Sequence, residues 1–167
     1  MGFWNFNGDT GLNSISDKSG FNNTGTAQGP VTFTAGRIGQ GINFDAKGNA
    51  NSTINVGSGT SLDNLTAQTI SAWIYPFNFN ATGAVILGKE TALGSPYTYF
   101  LLNEDLPEFN TSNGLTRRMN SGFIRAREWQ HLLVTYDGST LAANTHIYLN
   151  GVERTYQATT DGSGNLS

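Results

Sequence analysis

The sequence predicts an all-β chain folded as an antiparallel β-sandwich. Three observations carry this reading. Apolar residues recur at period two in short runs such as TISAWIYP (Thr69 to Pro76), YTYFLLN (Tyr97 to Asn103) and HLLVTY (His131 to Tyr136), the pattern of strands with two different faces. Gly, Asn, Asp and Ser punctuate these runs at regular spacing, the turn chemistry of sandwiches and barrels. No segment of ten or more residues carries an apolar face at 3.6-residue spacing, so helices are not expected. The 167 residues suffice to bury a core and read as one domain, 1–167, without internal repeat or linker.

From the start of the chain, Phe3-Trp4-Asn5-Phe6 is the first expected strand, closed by Gly8-Asp9 and Gly11. Asp17 to Gly25, DKSGFNNTG, is a loop by local rules. Gly36 to Phe44 is a Gly-rich approach to a strand, and Phe44-Asp45 and Thr53 to Val56 continue the pattern. Ser61 to Leu65 is expected to form a short helical turn. Thr69 to Pro76 is a strand that Pro76 ends by removing a ladder donor. In it Ile70, Ala72 and Ile74 face the core, leaving Ser71, Trp73 and Tyr75 on the other face. Val85 to Lys89 and Tyr97 to Asn103 are two further strands, with Phe100 and Leu102 inward and Tyr97, Tyr99 and Leu101 outward. Phe109 and Gly122 to Ile124 mark weaker ones.

Trp129 to Gly151, WQHLLVTYDGSTLAANTHIYLNG, organises the rest. Leu132, Val134 and Tyr136 alternate with His131, Leu133 and Thr135, and Asp137-Gly138 supplies a turn. Ile147 and Leu149 repeat the alternation. Asn150-Gly151 predicts a type I′ hairpin turn, whose two central residues both need φ > 0, with Val152 to Tyr156 returning as the next strand.

Trp-x-His, a strand ending in Tyr-Asp-Gly and a strand ending in Asn-Gly together resemble the laminin-G-like (concanavalin A-like) jelly-roll family. Asp17 to Asn23 is similar to that family's Asp-x-Ser-Gly-x-x-Asn element, and Gly36 to Phe44 to its Gly-rich approach. The resemblance therefore implies a laminin-G-like jelly roll. Family members continue with an Ile-Gly strand and a last strand beside the first, where this sequence stops at Asp161 to Ser167. The resemblance thus implies either a domain incomplete at its C-terminus, with an unpaired edge at Phe3 to Phe6, or a variant that closes its sheet differently. The opening MGFWNFNGDTG reads as strand rather than leader, so Met1 is expected to be an internal start.

Composition narrows the function classes. The net charge is −3 and charged residues make up 13%. No basic patch of the kind nucleic acid requires is present, the basic residues clustering only at Arg117-Arg118 with Arg125 and Arg127 nearby, and no nucleic-acid partner is expected. The absence of cysteine removes disulfides and thiolate metal sites. No run reaches the roughly 18 apolar residues of a membrane span. Asn-x-Ser/Thr triplets at Asn22, Asn51, Asn64, Asn80 and Asn110 follow from the richness in Asn, Ser and Thr.

No catalytic constellation is expected. Hydrolases of this sandwich class carry carboxylates at alternating positions of one strand, on one face. Glu104, Asp105 and Glu108 in NEDLPE have the wrong spacing, with Pro107 between, and read as a polar loop. His131 and His146 lack a nucleophile partner; in the family's Trp-x-His position His131 is expected to be a hydrogen-bonding structural residue.

Two binding sites are expected. The Asp17 loop is dense in hard oxygens, the ligands calcium needs. Related sandwiches often hold a structural calcium, so Asp17, Asn22 and Thr24, with Ser19 and Asn23 nearby, are the candidate ligands. Sugar binding needs flat aromatic faces beside hydrogen-bonding groups. If the two aromatic strands share a sheet, Trp73, Tyr75, Tyr97 and Tyr99 cluster on its outer, concave face. Phe77 and Phe79 are read as loop aromatics. The expected function is non-catalytic recognition of a glycan or surface polysaccharide, within a larger secreted, cell-surface or virion-surface protein. The alternatives are an adhesion module contacting protein partners in a surface layer or phage-like fibre, and a glycoside hydrolase of the same class.

Overall fold

The computed structural model describes residues 1–44, 52–63, 65–80, 83–90 and 96–164. Asp45, Asn51, Asn64 and Ser167, named above, lie outside these. The chain divides into two compact units, Met1–Asn64 and Leu65–Ser167, each with its own sheets.

The first unit holds β1 (Thr26–Gln28), β2 (Val31–Ala35), β3 (Gln40–Phe44) and β4 (Thr53–Asn55). β1 pairs antiparallel with β4, and β2 with β3. β3 and β4 fall in expected strand segments; β1 (TAQ) and β2 (VTFTA) lie in segments not expected as strands, although Val31, Phe33 and Ala35 alternate in β2. The expected strand at Phe3 to Phe6 does not form. Phe6 has φ 60, which ends an extended run. The Phe3 N–H donates to Asp17 Oδ1 (2.9 Å) and the Trp4 indole N–H to the Asn23 carbonyl (2.8 Å). The Phe3 carbonyl accepts from the Lys18 N–H (2.7 Å), so the Asp17 loop satisfies both backbone groups of Phe3 that a neighbouring strand would otherwise pair. The unpaired strand edge expected there does not arise.

The second unit contains β5 (Gln68–Ile74), β6 (Ala84–Glu90), β7 (Tyr97–Asn103), β8 (Leu106–Thr111), β9 (Thr116–Met119), β10 (Gln130–Tyr136), β11 (His146–Leu149), β12 (Val152–Glu153) and β13 (Tyr156–Thr160). Two antiparallel sheets result, in the orders β12-β11-β10-β5 and β13-β9-β8-β7-β6. Their inner faces share one core. Ile70, Leu132, Val134, Ile147 and Leu149 from the first sheet pack with Phe100, Leu102, Phe109 and Met119 from the second. The rings of Phe109 and Tyr136 meet at 5.0 Å. Phe109 is fully buried, a contribution of about 1.5–3 kcal/mol. This is the expected antiparallel sandwich, and it does not close into a barrel.

Period two predicted the inward sets of β5, β7, β10 and β11 correctly. Asn150 (φ 52) and Gly151 (φ 79) both have positive φ, as a type I′ turn requires. Three assignments need correction. The weak strand expected at Phe109 forms, but it starts at Leu106, so Leu106, Pro107 and Glu108 of the expected polar loop are strand, and the turn falls earlier, at Glu104 (φ 59). Phe109 opposite Phe100 in the core outweighs the one donor that Pro107 withholds opposite Leu102. Gly122 to Ile124 is turn and coil, although Ile124 is buried. The return after Gly151 divides into β12 and β13, which join different sheets.

Candidate functional site: an aromatic sheet face

The outer face of the four-stranded sheet is built by parity. In β5 and β10 the inward partners are Ala72 with Leu132 and Ile70 with Val134, which leaves Trp73 beside His131 and Ser71 beside Leu133 on the outside. β11 adds Tyr148 opposite Leu133 and His146 opposite Thr135, and β12 sets Glu153 opposite Tyr148. The rings of Trp73 and His131 lie 5.3 Å apart at 52°, and the Ser71 hydroxyl hydrogen-bonds His131 Nε2 at 2.7 Å. Past the end of β5 the same parity brings Tyr75 against Trp129 (5.4 Å) and Phe77 (5.5 Å). Trp73 is 44% exposed and Phe77 62%. Flat rings therefore line the outer face from Phe77 to Tyr148.

Two shallow depressions follow this ridge. One, about 270 Å³, is lined by His131, Leu133, Thr135, Tyr148 and Gly151. The other, about 370 Å³, is lined by Thr135, Tyr136, Asp137, Asn144 and His146. Thr135 lines both, so the two adjoin. Local chemistry holds the walls in place. The Asn150 side chain accepts the His131 N–H (2.9 Å), and the Asn150 N–H donates to the His131 carbonyl (2.8 Å). Asp137 accepts from the Ser139 N–H and from Asn144 Nδ2; the hydrogen bonds from Ser139 lead in holding its carboxyl below the usual range. Glu153 bonds His146 Nδ1 (2.7 Å) and accepts from the Tyr156 hydroxyl (2.8 Å), while that hydroxyl accepts from the Ile147 N–H. The His146 bond, then the Tyr156 bond, lowers the Glu153 carboxyl. Burial is the main cause that pushes the Tyr156 phenol up to about 12.

The four aromatic residues expected in one cluster lie on two sheets. Trp73 and Tyr75 belong to the face just described. Tyr97 and Tyr99 stack on each other (4.9 Å, 24°) on β7 of the five-stranded sheet. Tyr99 donates to Glu90, which raises the phenol to about 12. The clustering required β5 and β7 to be in one sheet, but β5 pairs with β10 instead. In their place the structure supplies Trp129, His131 and Tyr148. Their alternation was readable; their adjacency to Trp73 was not.

The Asp17 loop does not fit calcium. Oδ1 of Asp17 accepts from the N–H groups of Phe3 and Ser19, and Oδ2 from the N–H and side-chain amide of Asn23, all at 2.8–2.9 Å. Four N–H donors occupy the lone pairs that a metal would use. Burial opposes ionisation, but the hydrogen bonds from Ser19, Phe3 and Asn23 outweigh it and hold the carboxyl well below the usual range. Asn22 and Thr24 are exposed. Among the described residues no three His, Asp or Glu side chains gather as a metal site.

The carboxylates weighed for hydrolysis each stand in a different setting. Glu104 is exposed at the hairpin turn, and Asp105 Oδ2 accepts the Gly122 N–H at 2.7 Å. Glu108, buried on β8, pairs with Arg118 Nε at 2.5 Å and accepts from Asn110 Nδ2 at 2.9 Å. Among the described residues no helix is long and apolar enough to cross a membrane.

Comparison with the curated proteins and with the solved structures found no match. A family model described as the concanavalin A-like lectin/glucanases superfamily, of laminin G type, matches residues 47–166. The match begins after the Asp17 loop and the Gly36 to Phe44 segment, so the similarity read into those two elements lies outside it. It covers both sheets of the sandwich and well over half of the chain, and the chain belongs to the concanavalin A-like lectin/glucanase superfamily.

Proposed function

We propose that the chain is a non-catalytic carbohydrate-recognition module, carried by a larger secreted or surface protein, and that it meets its glycan with the outer face of the four-stranded sheet. The observation that carries this is the row Phe77, Tyr75, Trp129, Trp73 and His131, exposed at Phe77, Trp73 and Tyr75 and half-buried at Trp129 and His131, beside two open depressions, one mostly apolar and one mixed. A sugar ring has one apolar face and a rim of hydroxyls, so it matches flat aromatic surface flanked by amide, hydroxyl and carboxylate groups. Membership of a superfamily named for lectins and glucanases agrees with this reading. The engagement of Asp105 by the Gly122 N–H and the burial of Glu108 against Arg118 and Asn110 favour recognition over hydrolysis.

A glycan array probed with the whole chain and with Trp73→Ala tests it. The wild type is expected to retain at least one glycan, with affinity falling roughly tenfold, about 1.4 kcal/mol, in the variant. Trp73 lies on the outer face and outside the core, so the variant should keep its fold. No retained glycan, or equal retention by both chains, overturns the reading.

A second reading, adhesion to protein partners, is favoured by β6. It ends its sheet, with Val85 52% and Leu87 38% exposed. An edge strand of that kind can pair with a strand of another protein. Cross-linking that maps a partner to Ala84–Glu90 rather than to Trp73 supports it.

A further inference from the structure

Resting on the carbohydrate reading, we infer that the ligand is an internal stretch of an uncharged polysaccharide, about four rings long, lying along β10 from Trp129 to Thr135. Length comes first. Outward residues of β10 and its approach follow one line, Trp129, His131, Leu133 and Thr135. At a strand rise of about 3.3 Å per residue this line spans roughly 20 Å, space for about four pyranose rings of roughly 5 Å each.

The shape agrees. The two depressions adjoin through Thr135 and are shallow and open. They offer no enclosed pocket for a chain end, and a site that buries a terminal sugar would need one. The aromatic end at Trp73, Tyr75 and Trp129 stacks rings, and the polar end at Asp137, Asn144 and His146 meets hydroxyls. A single sugar can reach only one of these ends; a chain reaches both.

Charge decides the polymer class. The outward positions of the four strands are Thr69, Ser71 and Trp73, then His131, Leu133 and Thr135, then His146 and Tyr148, then Glu153. None is Lys or Arg; Glu153 places a carboxylate on the edge strand beside Tyr148, and Asp137 another just past the end of β10. Sulfated or uronic-acid chains would meet like charge there, which disfavours the charged ligand. The arginine pair Arg117-Arg118 lies on the other sheet. Arg125 and Arg127, with Glu128, sit in the loop before Trp129.

The test uses the whole chain. Affinity electrophoresis is run in gels holding a neutral β-glucan, xylan, galactomannan, polygalacturonate or heparin, at low and high salt. Oligosaccharides of one to six rings, cut from whichever polymer retards the chain, are then titrated. Retardation by a neutral polymer, indifferent to salt, with affinity climbing to about four rings and then level, is expected. Trp73→Ala and His146→Ala should each weaken the four-ring ligand at least fivefold, whereas a single ring responds to only one of them. Preference for polygalacturonate or heparin with steep salt dependence overturns the uncharged class and leaves the glycan reading standing. A single ring bound as tightly as four overturns the extended mode. No retardation by any polymer, together with a blank glycan array, removes both.

Discussion

Replacing Gly151 isolates the cost of a turn that also holds the candidate site. Gly151 has φ 79, and a Cβ built there meets no atom within 4 Å. Any penalty for Gly151→Ala is therefore backbone conformation alone, about 1–2 kcal/mol for an L-residue in the left-handed region. The reduced entropy of the unfolded chain returns about 0.4–1 kcal/mol of that. A net loss near 1 kcal/mol is expected, and more for Gly151→Val, whose branched side chain is stiffer. Gly138 provides the comparison. It has φ 86, but its Cβ would lie 2.6 Å from the Thr66 carbonyl oxygen and 2.8 Å from its carbon. Backbone cannot swing aside as a flexible side chain can, so Gly138→Ala adds roughly 1–3 kcal/mol of overpacking to the same conformational cost.

Urea unfolding followed by tryptophan fluorescence measures all three variants, reading the midpoint at constant slope. Each kcal/mol should also lower Tm by about 2–4 °C. The order expected is wild type, Gly151→Ala, Gly151→Val, then Gly138→Ala. A Gly151→Val chain with the wild-type midpoint, or Gly138→Ala no worse than Gly151→Ala, refutes the reasoning. Because Asn150 grips both the N–H and the carbonyl of His131, Gly151→Val should also weaken any ligand that Trp73→Ala weakens.

Asp17→Ala should destabilise by about 1–3 kcal/mol, toward the lower figure because the site is part-exposed, through loss of a charged acceptor for four N–H groups. Its carboxyl titrates below the ordinary 3.8, so its stabilisation is complete above that pH and fades as pH falls further; the variant's Tm should approach the wild type's in acid. Added calcium should leave the wild-type Tm unchanged, and a rise that Asp17→Ala abolishes would restore the metal site. Glu108→Ala removes the partner of Arg118 and an acceptor for Asn110, which should cost about 2–4 kcal/mol by denaturant unfolding. Glu108→Gln, which keeps the acceptor, should cost less; equal losses would show that shape rather than hydrogen bonding matters.

Residue order alone determined the features that depend on neighbours in the chain. The inward sets Ile70–Ala72–Ile74 and Leu132–Val134–Tyr136 follow from strand parity, which is local geometry. Asn150-Gly151 follows from the φ that glycine and asparagine tolerate. The sandwich class follows from many such runs together with turn residues. What only the tertiary structure decided is who stands beside whom. Parity puts Trp73 on an outer face but is silent on whether its neighbour is Tyr99 of β7 or His131 of β10. That choice is a pairing between segments some sixty residues apart, settled by how the inner faces fill one core. Asp17 shows the same division. A carboxylate in a polar loop can hold a cation or gather N–H groups, and only the arrival of Phe3 and Asn23 beside it chose the second. Leu106–Thr111 shows it once more, since its charged and proline positions read as loop until Phe109 is seen opposite Phe100 in the core.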